Sequence, residues 1–185
     1  SHNLETKFFV RFYNLNITKG MDLIMKKRTI FKVITLSLFV LILVFIIFFY
    51  KSPKYGRYYS YFDLISSKQT VKDSFKYRNI KEEKKLYSLY SDNLSNAIKK
   101  ELDNIKQVDV NDIALIQDEY MYSEYIGTGL GSVNNTQRKD LIIYKVNYDV
   151  EYHDDSIEPL ENGNQIFAYF LVKNNGKWII TTIGY

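Results

Sequence analysis

The sequence predicts an α+β protein: an N-terminal transmembrane helix followed by three helices packed on a curved four-stranded antiparallel sheet. Three observations carry that reading. Residues 33–50 form an unbroken apolar run, Leu94, Ile98, Leu102 and Ile105 recur at helical spacing beyond it, and period-two alternation then takes over.

The run VITLSLFVLILVFIIFFY contains no charge, Gly or Pro. As a helix it is about 27 Å long, close to the hydrocarbon thickness of a bilayer. Ile30, Phe31 and a snorkelling Lys32 extend it by a turn. Read from Met25, MKKRTIFK followed by the run is a basic n-region before an apolar h-region. The run exceeds the usual signal-peptide length of about 7–15 residues and no A-x-A-like site follows it, so an uncleaved signal anchor is expected. Lys26, Lys27, Arg28 and Lys32 precede the run and Lys51, Lys54 and Arg57 follow it, so the positive-inside bias is modest. The n-region pattern decides for an expected N-terminus inside and C-terminal domain outside a bacterial cell membrane. The expected layout is a basic cytoplasmic tail over 1–32, the span over 33–50, a linker over 51–59 and a folded domain over 60–185. Tyr50, Tyr55, Tyr58 and Tyr59 stand where an interfacial aromatic belt would sit.

Charge is distributed unevenly. Residues 1–32 carry a net +5 and residues 51–185 a net −1, so the basic balance belongs to the membrane-flanking tail and nucleic acid is not an expected partner. Within the domain, residues 51–106 hold thirteen positive and seven negative side chains, and residues 107–185 five and twelve. Complementary halves of one domain account for this, with a partner surface as the alternative. The chain has no cysteine, which excludes disulfides, thiolate nucleophiles and thiolate metal sites.

The first domain helix is expected to start at Thr70-Val71-Lys72-Asp73, which has capping-box spacing, and to stop at Asn79. A second is expected over 80–90. A third, capped by Ser91 or Asp92, carries the stripe Leu94, Ile98, Leu102 and Ile105. Residues 112–126 are expected to be a bulged first strand, with Ile113 and Leu115 on one parity and Tyr120 and Tyr122 on the other. Residues 127–139 (GTGLGSVNNTQRK) read as a polar loop. The following strand, 141–153, puts Ile142, Tyr144, Val146, Tyr148, Val150 and Tyr152 inward and Lys145, Asn147, Asp149, Glu151 and His153 outward. Residues 165–173 are apolar on both faces and read as a central strand. Asn174-Asn175-Gly176 is a hairpin turn into a last strand over 177–183, because Asn-Gly tolerates the positive φ of a type I′ turn.

The stretch TVKDSFKYRNIKEEKKLYSLYSD (70–92) resembles the opening of nuclear-transport-factor-2-like (cystatin-like cone) domains, and Gly176-Lys177-Trp178-Ile179-Ile180 with Gly184 is similar to their close. The nearest likeness is to small membrane-anchored extracytoplasmic proteins of unknown function from low-GC Gram-positive bacteria. The resemblance implies a cone whose concave sheet face and helices enclose a pocket, where the superfamily's enzymes place Asp, His or Tyr. Here the inward candidates of residues 141–153 are aliphatic or Tyr, so no catalytic residue carries over and no enzyme is expected.

His153 with Asp154 and Asp155 is the domain's one His-carboxylate cluster; by parity it is a solvated strand end. Gly127-Thr128-Gly129-Leu130-Gly131 has neither dinucleotide-fold nor Walker spacing. Tyr87, Tyr90, Tyr144, Tyr148, Phe170 and Trp178 are the candidate pocket lining, at spacing that equally suits core. No metal or other cofactor is expected. The expected function is a membrane-anchored extracytoplasmic non-catalytic binding or assembly module, with protein partners or self-association. A scaffold of a type IV secretion or conjugation machine shares the layout, and an enzyme using His153 with Asp149 or Glu151 is the remaining class.

Overall fold

The computed structural model describes residues 30–47, 58–158 and 160–184. The expected basic tail up to residue 29, the end of the apolar run and the expected linker up to residue 57 lie outside them, and the tail's last three residues, 30–32, belong to the first helix. Contacts divide the chain into two units, Ser1–Phe49 and Tyr50–Tyr185. In the first, α1 (Ile30–Ile47) is an 18-residue helix long and apolar enough to cross a membrane. All of its residues are exposed.

The second unit is α+β. Its elements are α2 (Tyr61–Asn79), α3 (Glu83–Tyr87), α4 (Asp92–Leu102), β1 (Ile105–Leu115), α5 (Glu119–Gly127), α6 (Leu130–Val133), β2 (Leu141–Tyr152), β3 (Gly163–Asn174) and β4 (Lys177–Gly184). The four strands form an antiparallel meander in the order β1-β2-β3-β4.

The first domain helix starts nine residues before the expected Thr70. A second capping box does this: Ser60 Oγ accepts from Asp63 N and Asp63 Oδ2 accepts from Ser60 N, both at 3.1 Å. Thr70 lies mid-helix, its hydroxyl donating back to Ser66 O at 3.1 Å. The buried stripe of α2 is Ser67, Val71, Ser74, Phe75 and Arg78. The helix ends where Lys81 takes a φ of 53° and Glu82 N bonds back to Tyr77 O at 3.0 Å, which confines the next helix to Glu83–Tyr87 rather than 80–90. Lys81 Nζ then donates to the carbonyls of Leu102 and Ile105, tying the end of α2 to the α4–β1 junction.

β1 begins seven residues earlier than expected, and Ile105 is its first residue, not the end of the α4 stripe. Two register shifts, between Ile105 and Gln107 and between Val110 and Asp112, spread its buried residues to Ile105, Val108 and Ile113. Its outer edge is partly sealed: Asn79 Nδ2 donates to Val108 O at 2.7 Å and its Oδ1 accepts from Val108 N at 2.8 Å, replacing a neighbouring strand. Residues 119–127 are helix, not strand, because Asp118 caps Tyr120 N at 3.0 Å and Tyr122 and Tyr125 are buried one turn apart.

From β2 onward the alternation holds. The six inward positions of β2 are all buried. β3 pairs Tyr169 with Tyr144 and Leu171 with Ile142, and the β3–β4 turn has φ 48° at Asn175 and 79° at Gly176, as a type I′ turn requires. Phe75 of α2 packs on Tyr148 and Tyr169 at 5.0 and 5.8 Å between ring centroids. α2 reaches both outer strands, crossing this face from β1 to β4. The opposite face is also covered at one end. Tyr125 of α5 stacks on Phe170 at 5.1 Å, so Leu141 and Ile143, of outward parity, are fully buried.

Tyr122 links α5 to the sheet. Its hydroxyl donates to Ile116 O at 2.8 Å and accepts from Ile143 N at 3.3 Å, completing the β2 ladder where β1 ends. Tyr122→Phe leaves both backbone groups unpaired. We expect it to lower unfolding free energy by about 1–3 kcal/mol, read from the midpoint of urea denaturation with an unchanged slope.

Candidate functional site

A cavity of about 670 Å3 opens between the start of α4, the segment 134–140 and the β3–β4 hairpin. Backbone pairing builds its first wall. Ser91 N donates to Ile180 O and Ile180 N to Leu89 O, both at 2.9 Å, so Tyr90 forms a parallel bridge with β4. Ser91 is the N-cap of α4, yet its hydroxyl makes no capping bond. The second wall follows from Gly131, where a Cβ would meet the Tyr125 ring at 2.7 Å, so α6 can seat against α5 only with glycine there. The residues expected to be a polar loop therefore hold a short helix and then turn at Asn135, φ 51°. Thr136 N bonds to Gly131 O at 2.8 Å.

Arg138 fixes that segment. Its guanidinium grips Glu119 twice, at 2.9 and 2.6 Å, lies 3.5 Å from the centroid of the Tyr122 ring and donates to Tyr59 Oη. Tyr59 in turn donates to Leu141 O and is 1 % exposed, so it belongs to the domain core rather than to an interfacial belt. The Arg138 contact holds the Glu119 carboxyl below the usual range. With Arg138 anchored, its neighbours Gln137, Lys139 and Asp140 line the cleft.

Asp92, Asp140, Lys139 and Lys173 are the charged residues of the lining, among Asn134, Asn135, Gln137 and Asn174. Lys173 is committed: its Nζ lies 2.5 Å from Asp63 Oδ1 and 5.5 Å from the Trp178 ring centroid. Burial pushes the Asp63 carboxyl up, but the bonds from Lys173 and Ser60 outweigh it and hold the group below its ordinary value. Thr136 Oγ1 is buried with no hydrogen-bond partner among the described residues.

Tyr90 is the partition between this cleft and the core. Behind it Arg78 is 3 % exposed, and its Nη2 donates to Tyr90 Oη at 3.2 Å. The guanidinium also lies 5.5 Å from the Phe75 ring and 5.9 Å from the Tyr90 ring, while its Nε has no partner. No carboxylate pairs with Arg78 at ion-pair distance among the described residues. Burial opposes its charge, but the facing Tyr90, Tyr169, Glu101 and Tyr148 outweigh that and raise its pKa further. The Tyr148 phenol is pushed up to about 12 by burial, against the pull of Arg78. The cone interior is thus a charged guanidinium in a ring of neutral phenols.

Of the six residues the sequence nominates as pocket lining, Tyr90 alone lines the cleft. Tyr144, Tyr148 and Trp178 are buried in the core, Tyr87 is partly buried at its margin, and Phe170 points to the opposite face against Tyr125. The six do not converge: the concave face is filled by its own aromatics. His153 is exposed at the end of β2, and its neighbours are occupied locally, Asp154 by Ser156 and Asp155 by Asn162. Among the described residues no group of three or more His, Cys, Asp or Glu is gathered to hold a metal ion. Sequence reasoning missed Arg78, Lys173 and Thr136. Arg78 was findable, since it lies three residues past Phe75 and seven past Val71, on the inward stripe.

Two outcomes follow from these charges. The folded Asp63 pKa is depressed, so its contribution is complete above the unfolded carboxyl value near 3.9 and is lost as pH falls through the folded one. The stability gap between the wild type and Asp63→Asn should be flat from about pH 5 to 8 and close below about pH 4 in pH-resolved urea melts. Arg78→Met replaces a buried cation that has no carboxylate at ion-pair distance by a shorter apolar side chain and removes the bond to Tyr90 Oη. It should lower unfolding free energy by about 1–3 kcal/mol in the same assay, and a neutral or stabilising result would show that the fold does not need the charge.

A family model described as a domain of unknown function (DUF4829) matches residues 68–184, from within α2 to the end of β4. No curated protein matches the chain. Both the cleft and Arg78 lie inside the matched region, and the chain belongs to the DUF4829 family.

Proposed function

We propose that this protein is a single-pass membrane protein that displays a divergent nuclear-transport-factor-2-like cone outside the bacterial cell, as a non-catalytic module binding its ligand or partner in the polar cleft. The observation that carries the reading is the division of space in the domain. The concave face is occupied by Phe75, Tyr148 and Tyr169, and the accessible volume lies beside it, edged by α4, residues 134–140 and the β3–β4 hairpin. Three helices before a four-stranded meander, with α2 across the concave face, support the cone assignment. α1 supports the anchor, and the Lys/Arg cluster before it supports an inside N-terminus.

The lining favours a polar ligand with little net charge. Asp92 and Asp140 stand with Lys139, Lys173 being held by Asp63, so the lining carries about one net negative charge, and Asn134, Asn135, Asn174 and Gln137 each offer a donor and an acceptor. Recognition by such groups is orientational: a ligand presenting alternating donors and acceptors satisfies them, and an apolar one leaves them desolvated.

Because the chain has no cysteine, introduced thiols report their own position. In intact cells expressing the full chain, Ile157→Cys should react with a membrane-impermeant maleimide, and Lys27→Cys only after lysis. The reverse pattern overturns the orientation. A photo-crosslinking amino acid at Gln137 should give an adduct of defined mass in intact cells, abolished by Asn134→Trp, which adds bulk to the lining at a residue of ordinary φ. The same adduct from position 157, or none from 137, rejects the cleft as the binding site.

A further inference from the structure

The outward face of α2 has a composition that neither the core nor the cleft explains. At 100° per residue, Tyr61, Phe62, Ile65, Gln69, Lys72 and Lys76 fall within about 100° of the helix circumference, opposite the buried stripe. Tyr61, Phe62 and Ile65 are 46, 47 and 56 % exposed. Lys72 and Lys76, further along the same face, are exposed and in no ion pair among the described residues. An aromatic and aliphatic first turn followed by lysines at helical spacing is the chemistry of a helix lying in a membrane interface: rings and the isoleucine enter the headgroup boundary, and ammonium groups meet lipid phosphates.

The chain supplies the occupant. Eleven residue steps separate Ile47, the end of α1, from Tyr58, where the described domain begins. Fully extended, they reach at most about 40 Å, comparable to the diameter of a domain this size. The apolar turn of α2 starts three residues after Tyr58. If α1 is anchored, that turn stays at high effective concentration near the bilayer, where a weak interfacial affinity suffices to hold it.

We propose that the outward face of α2 docks on an anionic phospholipid surface, laying the domain against the membrane that anchors it. This rests on the anchor reading proposed above and adds a second membrane contact made by the folded domain. Docking by α2 leaves the other face of the sheet, with α5 and α6, directed away from the lipid.

The test uses the full chain in nanodiscs of phosphatidylglycerol and phosphatidylethanolamine, with single introduced cysteines carrying a nitroxide at Val40, Ile65 or Ile157. Power saturation with oxygen and a water-soluble nickel chelate reads depth. Labels at Val40 and Ile65 should be lipid-exposed and the label at Ile157 aqueous. Lys72→Glu with Lys76→Glu, or purely zwitterionic lipid, should shift the Ile65 label at least several-fold toward nickel accessibility while Val40 is unmoved. An aqueous Ile65 label beside a lipid-exposed Val40 label overturns the docking alone. An aqueous Val40 label overturns the anchor reading as well. Dipolar broadening at Ile65 in discs holding two copies, without lipid exposure, assigns the face to a second copy and rejects the lipid surface.

Discussion

α2 lies across the sheet because two of the five residues on its inward stripe are serines. Ser67 and Ser74 are fully buried, and their small side chains allow the helix to approach strands whose inward positions include Tyr144, Tyr148 and Tyr169. The hydroxyls are satisfied within the packing: Ser67 Oγ lies 2.8 Å from Tyr144 Oη and 2.6 Å from Asp63 O, and Ser74 Oγ donates to Val71 O at 2.7 Å. Larger residues there would lift α2 off the sheet. Phe75 would then lose Tyr148 and Tyr169, and Asn79 could no longer pair with Val108. The sealed β1 edge, the aromatic filling of the cone and the burial of Arg78 all follow from this one close approach.

That approach also explains how a guanidinium comes to lie in the core. Arg78 follows Ser74 by one turn, so the seating that suits the serines carries it inward. Burial opposes the charge, and the facing Tyr90, Tyr169, Glu101 and Tyr148 outweigh that opposition. Through its bond to Tyr90 Oη the guanidinium lies behind a residue that lines the cleft. The cleft lining carries about one net negative charge and the group behind it is cationic.

How much of this is legible in the chain depends on whether local pattern and burial coincide. β2, β3 and the Asn-Gly hairpin are legible because alternation runs unbroken and the turn chemistry has one solution. β1 is hidden because its two bulges put Ile105, Val108 and Ile113 at spacings of three and five, which mimic neither a strand nor a helix. α5 reads as strand because Tyr120 and Tyr122 alternate and tyrosine favours sheets; the Asp118 cap that decides the matter is a single side chain. The start of α2 is hidden for the reason that makes it pack well, since Ser67 and Ser74 do not read as a core face. At the site, Tyr90 is legible as an aromatic, while Lys173 and Thr136 reach the cleft only through the tertiary placement of β3 and the segment after α6.

The charge asymmetry between the halves of the domain takes a different meaning in the fold. If basic helices and acidic strands simply neutralised one another, ion pairs would run from the first half to the second in that sense. Of the four ion pairs among the described residues, Lys106–Glu151 alone does so. Lys173–Asp63 runs in the opposite sense, and Lys85–Glu82 and Arg138–Glu119 stay within their halves. The acids of the strand half are met by amides and hydroxyls instead, Asp149 by Asn111 and Asn164 and Asp154 by Ser156, which holds both carboxyls below their ordinary range. Of the lysines of α2, Lys68 is used by the fold, donating to Ile113 O at 2.8 Å, whereas Lys72 and Lys76 enter no ion pair among the described residues. Lys72 and Lys76 remain exposed on the helix nearest in sequence to α1, which turns a surplus visible in composition into a directed surface.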